Sequence, residues 1–482
     1  MTTQDQRRRV AVAGASGFIG SALCRALSSD YRITALTRSP TLAQNPIPDL
    51  PVDWRLCDLW SRKEMAAGLA DAQYAVYLVN PMIPTSRLTQ ADSADLNLLV
   101  ADNFARAAYQ HGIRQILYLG NLWPDGPSLP RVLAGPGEVE RTLAGHGVPV
   151  TSVRAGLVVG PGGRYVNLLT VLACRQWLAV PDWANAHQQP VALDDVIQAL
   201  CRCLGNPSTF GHRYQIGGRQ VFTVRELLNI TARVLGHHPP SHRWSPPPWL
   251  YRRLVCRLSG AYPSLVERFV AGLQVNQLAT DNVLPDWLGR NPLSFEQALR
   301  ESLHPRNHTP LPSPRADIRA PDDAEFRRAS RVRSIQRIRL PPGRNALWLA
   351  DNYFHWLPGT VAFFLICQQD ADRSWRIGLR WPPLTLLHLW YRDTHSSPDR
   401  QMFFIDGGVL ARVGEGRQGR FEFRDVLGGR FTIAAIHDFS PHLPWRFYAL
   451  TQAVVHVWVM RAYQRRLARL ADAGQLEGPS AD

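Results

Sequence analysis

Gly14, Gly17 and Gly20 are spaced three residues apart between an apolar run and an amphipathic segment, and the chemistry this spacing serves is the holding of a pyrophosphate. Val10-Ala11-Val12-Ala13 enters the glycine turn, and Phe18-Ile19-Gly20-Ser21-Ala22-Leu23 leaves it with helical spacing. Gly14 permits the tight turn, Gly17 lets the backbone approach a phosphate, and Gly20 lets helix and sheet pack closely. The helix start offers free N–H groups and the positive end of a dipole to an anion. With Ser16, Phe18 and Ile19 completing the turn, the expected ligand is a dinucleotide.

The elements that must position this turn follow in order. Tyr31 to Arg38 reads as a second strand. An arginine closing that strand suits a 2′-phosphate, where an acidic residue would hold free ribose hydroxyls, so Arg38 favours NADP(H) over NAD(H). Val52 to Leu59 reads as a third strand ending in Asp58-Leu59. Tyr74 to Pro81 reads as a fourth, and the cofactor would pass over its end at Val79 and Asn80. Leu96 to His111 has helical spacing through Asn103, and Arg114 to Gly120 reads as a fifth strand. Strands alternating with helices predict an α/β fold with a doubly wound parallel sheet.

The chain resembles the atypical extended short-chain dehydrogenase/reductases, specifically the NmrA-like and YbjT-like branch. The resemblance is carried by Gly14-Ala15-Ser16-Gly17-Phe18-Ile19-Gly20, Tyr77-Leu78-Val79, Asn103-Phe104-Ala105 and Tyr118-Leu119-Gly120. It continues through Arg154 to Gly162, Pro190 to Val196 and Tyr214 to Gly218, across roughly the first 300 residues. It implies a Rossmann-type domain and NAD(P) binding that also involves Asp58, Leu59, Asn103 and Gly120, with Arg154 and Gly156 near the nicotinamide end. Asp194 and Asp195 are expected to cap the following helix.

Where the chain departs from the wider family, chemistry is at stake. Typical members use Ser, Tyr and Lys, with Tyr-x-x-x-Lys lowering the tyrosine's pKa for proton transfer. The only lysine here is Lys63, with Leu59 four residues upstream of it. The lysine slot falls near Pro136, the tyrosine slot near Val132 and the serine slot at Gly120-Asn121. Glu138 and Tyr165 are the candidates for a substitute acid–base group, with Tyr118, Asn121 and His146 nearby. Glu138 also reads as a first-turn carboxylate favoured by the helix dipole, and Tyr165 as a pocket wall.

Composition bounds the rest. A chain of 482 residues calls for two or three domains. The expected division is a nucleotide-binding domain over 1–303, with a substrate lobe from about 160–235 and 249–302. A Pro-rich linker over 304–330, a second domain over 331–473 and a tail over 474–482 follow. Seven scattered cysteines suit reduced thiols in a cytoplasm, and no metal site is expected. The short polar start leaves no room for a signal peptide, and no stretch has the length of a membrane span. The net charge of +15 comes from dispersed arginines without a nucleic-acid-binding signature, so no nucleic acid is expected as partner.

In the second domain, Met402 to Ile405, Arg420 to Arg424 and Arg430 to Ile436 read as antiparallel strands, with Gly428-Gly429 a hairpin turn. A single long helix from about Leu443 to Ala471 should close the chain, its apolar stripe running Leu450, Val454, Val457, Tyr463, Leu467, Leu470. That order of elements resembles the START-like (SRPBCC) helix-grip fold. Trp375, Trp381, Leu384, Leu386, Leu389, Trp390, Phe403, Phe404 and Trp458 are expected to line a hydrophobic-ligand pocket or to fill a core. The Arg-rich helix also suits peripheral contact with an anionic membrane.

Three functions remain open: an NADP(H)-dependent oxidoreductase acting on a small or lipid-like substrate, a non-catalytic NADP(H) sensor, and an assembly or scaffold protein that keeps the nucleotide.

Overall fold

The computed structural model describes residues 7–79, 88–124, 129–175, 180–238, 245–313, 332–361, 365–413 and 418–472, so Asn80 lies outside the described residues. The chain forms two compact units, Met1–Ile83 with Val100–Asp322, and Pro84–Leu99 with Asp323–Asp482.

The chain opens with β1 (Arg8–Ala13), α1 (Phe18–Leu27), β2 (Tyr31–Thr37), α2 (Pro40–Gln44), β3 (Asp53–Leu56), α3 (Arg62–Leu69) and β4 (Tyr74–Tyr77). Next come β5 (Leu88–Gln90), α4 (Ser93–Gln110), β6 (Gln115–Asn121), α5 (Arg131–Ala144) and β7 (Val150–Ala155). The rest of the first unit begins with β8 (Val158–Val159), α6 (Arg164–Ala173), β9 (His187–Gln188), β10 (Val191–Ala192) and α7 (Leu193–Cys203). It ends with β11 (Arg213–Ile216), β12 (Phe222–Thr223), α8 (Val224–Val234), α9 (Pro248–Ser259), α10 (Pro263–Gly272), α11 (Leu284–Leu288) and α12 (Phe295–Glu301).

The first unit is built on a seven-stranded sheet of order β3-β2-β1-β4-β6-β7-β11, with every neighbouring pair parallel. A parallel sheet is covered on both faces, which is why β4 and β7 are buried along their whole length and β1 from Val10 onwards. The strand order reverses between β1 and β4, and the β1–α1 turn sits at that switch point, where doubly wound sheets take their ligands. A second core in the same unit joins α6, α8, α9, α10 and α12 through Leu169, Leu228, Tyr251, Val266 and Leu299. At the start of α8, Thr223 and Glu226 form the reciprocal pair of a capping box.

The second unit contains β13 (Val332–Arg339), α13 (Ala346–Val361), β14 (Leu365–Gln369), β15 (Trp375–Leu379), β16 (Leu384–Tyr391) and β17 (Arg400–Gly407). It ends with β18 (Arg420–Val426), β19 (Phe431–Phe439), α14 (Trp445–Leu450) and α15 (Gln452–Asp472). Its sheet runs β14-β15-β16-β17-β18-β19-β13-β5, antiparallel throughout except for the parallel β13–β5 pair. The β18–β19 hairpin turns through Gly428 and Gly429, both at positive φ (68° and 76°). The edge strand β5 comes from a part of the sequence read as wholly N-terminal. It is held by Leu88 and Gln90 against Val332 and Ser334, by Gln90 Nε2 donating to the Ala453 carbonyl (3.0 Å), and by Arg337 against Asp95 (2.6 Å).

Two expectations for this unit are corrected. The terminal helix is broken at Thr451, whose N–H closes α14 on the Phe447 carbonyl, so the apolar stripe does not run through in one phase. Tyr463 and Leu467 are buried as expected, but Leu450 and Val454 are 78% and 55% exposed, and the inner face is Ala453, Met460, Tyr463 and Leu467. Of the residues expected to line a pocket or to fill a core, Trp375, Leu389 and Phe403 are buried in the core. Trp381, Leu384 and Trp458 are exposed, because β15 ends at Leu379 and Trp381 falls in the following turn. The inward-facing aromatics instead pack as a core: Phe354 of α13 stacks on Trp375 (4.9 Å between centroids) and meets Phe403, while Tyr353 meets Phe421 and Tyr463.

Three strands of the same sheet carry a buried charge cluster. Glu422 accepts from Arg400 Nε (2.5 Å), Arg424 Nε (2.7 Å) and His437 Nε2 (3.1 Å), all nearly inaccessible. Burial alone would raise the carboxyl of Glu422, but the two guanidiniums hold it well below its ordinary range. Burial pushes the His437 imidazole down from 6.5 to about 4, against the pull of Glu422. A histidine depressed in the folded state makes the unfolded chain the better proton acceptor once pH falls below about 6.5, so folding stability drops through that window. Urea denaturation at pH 7 and pH 5 should show the wild type losing about 2 kcal/mol more on acidification than His437→Asn.

Candidate dinucleotide site and its pocket

The β1–α1 turn is shaped by backbone approaching backbone. Gly14 sits at φ +94°, and a Cβ there would lie 2.9 Å from the Leu78 carbonyl oxygen. The Gly17 N–H donates to the Gly14 carbonyl (2.9 Å), and a Cβ on Gly20 would come within 2.2 Å of that same oxygen. Only residues without a Cβ let β1, the turn and α1 approach this closely. Gly17 is the N-cap of α1 and supplies no side-chain cap, so no side chain of the cap residue covers the helix start. An open helix start beside a glycine turn fits a pyrophosphate.

The other residues expected at the cofactor lie where the parallel topology brings them, at the C-terminal ends of adjacent strands. Ser16, Phe18 and Ile19 are in or next to the β1–α1 turn. Arg38 follows β2 and is partly buried, ahead of Ser39, which caps α2 by accepting from the Leu42 N–H. Asp58 and Leu59 follow β3. Asp58 Oδ1 accepts from the Trp60 N–H (3.1 Å), and Asn103 Nδ2 of α4 donates to the Leu59 carbonyl (3.0 Å), tying α4 to that strand end. Val79 follows β4, Gly120 lies at the end of β6, and Arg154 is in β7 beside it. Sheet order, with these strands adjacent and parallel, groups these residues at one edge.

Beneath that edge lies a small open pocket of about 60 Å3, lined among others by Gly120, Asn121, Trp123, Pro136, Glu140 and Arg154. Its floor is an ion pair. Glu140 of α5 is buried and takes Arg154 Nε at 3.0 Å, and Arg213 of β11 reaches the same carboxylate. Arg154 is thereby locked in place with its charge compensated.

The slots expected for the tyrosine, lysine and serine hold Val132, Pro136 and Gly120-Asn121. Pro136 occupies the lysine slot inside α5, and Tyr118 Oη donates to its carbonyl (3.1 Å). Burial, then the nearby Glu140, push the Tyr118 phenol above its ordinary value despite Arg268 and Arg154, so it holds its proton at neutral pH. Tyr165 of α6 is also raised by burial, with Arg268 opposing. Glu138 lies on α5 and is partly buried. His146 is engaged with Asp102 (2.7 Å). The capping expectation for Asp194 and Asp195 is corrected: Ala192 is the N-cap of α7 with no side-chain cap. Asp195 instead accepts from Arg290 Nη2 (2.7 Å) and the Leu293 N–H (2.8 Å), pinning the chain before α12. Gly156 is needed for packing, since a Cβ there would lie 1.9 Å from the Gln189 carbonyl oxygen.

Residues 10–126 match the NAD dependent epimerase/dehydratase family. The N-terminal stretch carries that family's pattern, and its strands form the Rossmann-type sheet described above. Two curated relatives are similar over part of the chain. Auxiliary protein GraX of Staphylococcus aureus is 28% identical over 134 residues, covering 28% of this chain and 43% of the relative. The mitochondrial NADH dehydrogenase [ubiquinone] 1 alpha subcomplex subunit 9 of Arabidopsis thaliana is 24% identical over 176 residues, covering 36% and 43%. The chain thus spans 43% of the length of each of these relatives. Among solved structures, a nucleoside-diphosphate-sugar epimerase of Staphylococcus aureus is similar at 15% identity and TM-score 0.48, over 61% of this chain and 100% of its own. A UDP-glucose 4-epimerase of Thermus thermophilus, solved with NAD, is similar at 18% identity and TM-score 0.44, over 61% and 96%.

Sequence reading passed over Glu140 and Arg268. The signal for both was a charged residue on the buried stripe of a helix: Glu140 follows Leu133 and Pro136 on α5, and Arg268 lies among Leu265, Val266 and Val270 on α10. Glu140→Ala would leave Arg154 buried without its carboxylate and should cost about 3–5 kcal/mol in urea denaturation.

Proposed function

We propose that the chain binds a nicotinamide dinucleotide across the C-terminal ends of β1, β2, β4 and β6, with NADP(H) preferred over NAD(H), and holds a small molecule in the adjoining pocket. The observation that carries this reading is the glycine turn at the switch point, where main-chain N–H groups at the start of α1 have no side-chain cap. Gly14, Gly17 and the first turn of α1 would hold the pyrophosphate, Arg38 the 2′-phosphate, and Asp58, Leu59 and Asn103 the adenine side. Val79, Asn80, Gly120 and Arg154 would line the path to the nicotinamide. When bound, that ring donates or accepts hydride. Within the chain, Arg154 is held by Glu140, and Tyr118 keeps its proton, so the usual Tyr–Lys proton transfer has no counterpart. An oxidoreductase on this scaffold would depend on Glu138, Tyr165 or the substrate itself for its proton.

The second reading is a nucleotide-holding sensor or assembly protein of the NmrA-like kind, residing in the cytoplasm. Pro136 in the lysine slot favours it, and the two relatives named as an auxiliary protein and a complex subunit are in keeping with it. Calorimetry on the full chain tests the shared premise: NADPH binds, Gly17→Val abolishes the heat, and Arg38→Asp shifts the NADPH-to-NADH preference by about tenfold or more. Consumption of NADPH with a defined product would select the oxidoreductase, and tight binding without turnover the sensor.

For the C-terminal unit, a START-like helix-grip relationship is supported by β13 lying beside β19 and by α15 packing on the sheet. The unit also carries the features of a peripheral membrane contact. No helix among the described residues is long and apolar enough to cross a membrane. Phe447, Leu450, Val454, Val455 and Trp458 are exposed, and the stripe continues along α15 into exposed Arg461 and Arg465. No acidic residue occurs between Asp438 and Asp472, whereas five arginines do. An apolar face that continues into exposed arginines suits the interface of an anionic bilayer. The chain should co-sediment with phosphatidylglycerol/phosphatidylcholine vesicles, not with phosphatidylcholine alone, and Val454→Glu with Trp458→Glu should abolish this. Self-association by light scattering, with indifference to phosphatidylglycerol, would assign the face to a second copy instead.

A further inference from the structure

Among the described residues, thirteen large apolar side chains are exposed, and nine of them lie at one end of the second unit. The other four, Leu56, Tyr109, Val221 and Trp249, belong to the first unit. Single apolar side chains are ordinary on a protein surface, whereas a grouping of them marks a surface that meets something. Five of the nine are the α14 and α15 residues already described. The remaining four come from two segments distant in sequence: Trp381 (83% exposed) and Leu384 from the β15–β16 hairpin, and Val409 and Val413 from the loop after β17.

The register of the sheet brings these segments together. Leu379 pairs with Leu384 across the hairpin and His388 pairs with Gly407, so the hairpin tip and the exit of β17 lie at the same end. Arg420 pairs with His437 and Val332 with Phe439, which places the exit of β19 there too. The start of α15 is held at that end by Gln90, which pairs with Ser334 and donates to the Ala453 carbonyl. The loop after β17 ties one side to the other. The Val409 N–H donates to the Thr385 carbonyl (3.1 Å), the Arg412 N–H to the Ser440 carbonyl (2.8 Å), and the His442 N–H to the Leu410 carbonyl (3.1 Å). Gly408 sits at φ +104°, and a Cβ there would lie 2.3 Å from the Leu386 carbonyl oxygen, so a glycine lets the loop cross β16 this closely.

Charge follows the same pattern. An exposed arginine immediately precedes an exposed apolar residue in each of three segments: Arg380 before Trp381, Arg412 before Val413, and Arg446 before Phe447. None of these three arginines has a carboxylate within 4.0 Å among the described residues.

We infer that this end of the second unit is a composite docking surface for an anionic bilayer, in which the Trp381–Leu384 hairpin enters the interface beside α14 and the first turns of α15. An indole suits the headgroup level, and the neighbouring arginines meet the negative surface potential. Two insertion points held on one hydrogen-bonded sheet bind as a linked pair and fix the orientation of the unit on the membrane, which one helix face would not. The inference rests on the bilayer reading of the α14–α15 face and adds to it an element remote in sequence.

Co-sedimentation of the full chain with phosphatidylglycerol/phosphatidylcholine vesicles, titrated in lipid, tests it. Trp381→Glu with Leu384→Glu should weaken binding by about tenfold or more. Arg380→Gln, Arg412→Gln and Arg446→Gln together should weaken it and flatten its dependence on salt. Both hairpin side chains lie outside the core, so the double variant should unfold at the wild-type temperature. Trp249→Glu, at the exposed tryptophan of α9, should bind as the wild type does. Wild-type affinity in the hairpin variant, with binding abolished by Val454→Glu and Trp458→Glu, sinks this inference and leaves the helix reading standing. Weakened binding in the hairpin variant alone sinks the helix reading and keeps the hairpin as the docking element. A wild type that does not sediment, or a Trp249→Glu chain that loses as much as the hairpin variant, overturns both. Light scattering that finds a dimer broken by the hairpin substitutions, with vesicle binding unchanged, assigns the hairpin to a second copy and overturns the inference.

Discussion

The closest constraint in the first unit is the contact among main-chain atoms at the β1–α1 turn. The Gly14 carbonyl receives the Gly17 N–H and leaves room at Gly20 for the bare Cα and nothing larger. That approach draws the start of α1 onto the end of β1, at the one place where the order of the parallel sheet reverses. From there the geometry is inherited: strand ends that are far apart in sequence become neighbours because the sheet is parallel, and the residues following them face one edge.

Charge is the second organising principle, and it is handled differently in the two units. In the second, Glu422 gathers two arginines and a histidine inside the sheet, so the buried charges largely compensate one another. In the first, Glu140 does the same for Arg154 and Arg213, while Arg268 is buried with its Nε unpaired among the described residues. Removing a partner from a buried pair costs far more than the pair contributes. The pocket takes its polarity from its own lining, where Asn121, Glu140, Arg141 and Arg154 stand among glycines, prolines and Trp123.

The acid–base question follows from the same packing. Pro136 occupies the lysine slot and offers its carbonyl to Tyr118, so the phenol is spent as a donor and held protonated by burial. The strand ends are grouped as in a doubly wound sheet, while α5 carries Pro136 and the buried Glu140 in packing and ion-pair roles.

Much of the first unit was legible in the sequence because it rests on local rules: apolar strands, a glycine turn whose spacing is dictated by close approach, and helices of regular period. The capping box at Thr223 and Glu226 and the Gly428–Gly429 hairpin belong to the same class, since the residues that form them are adjacent in the chain. What the sequence could not disclose were relations between distant residues. Asp195 reads as a helix cap until Arg290 and Leu293 are found on it, and the stripe through Leu450 and Val454 reads as core until the break at Thr451 changes its phase. Leu88 to Gln90 shows no strand signal of its own length and becomes an edge strand only by pairing with β13. By itself the chain determined the Rossmann-type fold of its N-terminal unit and the absence of a Tyr-x-x-x-Lys pair. Only tertiary packing decided which charges are compensated, because that depends on which side chains burial brings together and which it leaves alone.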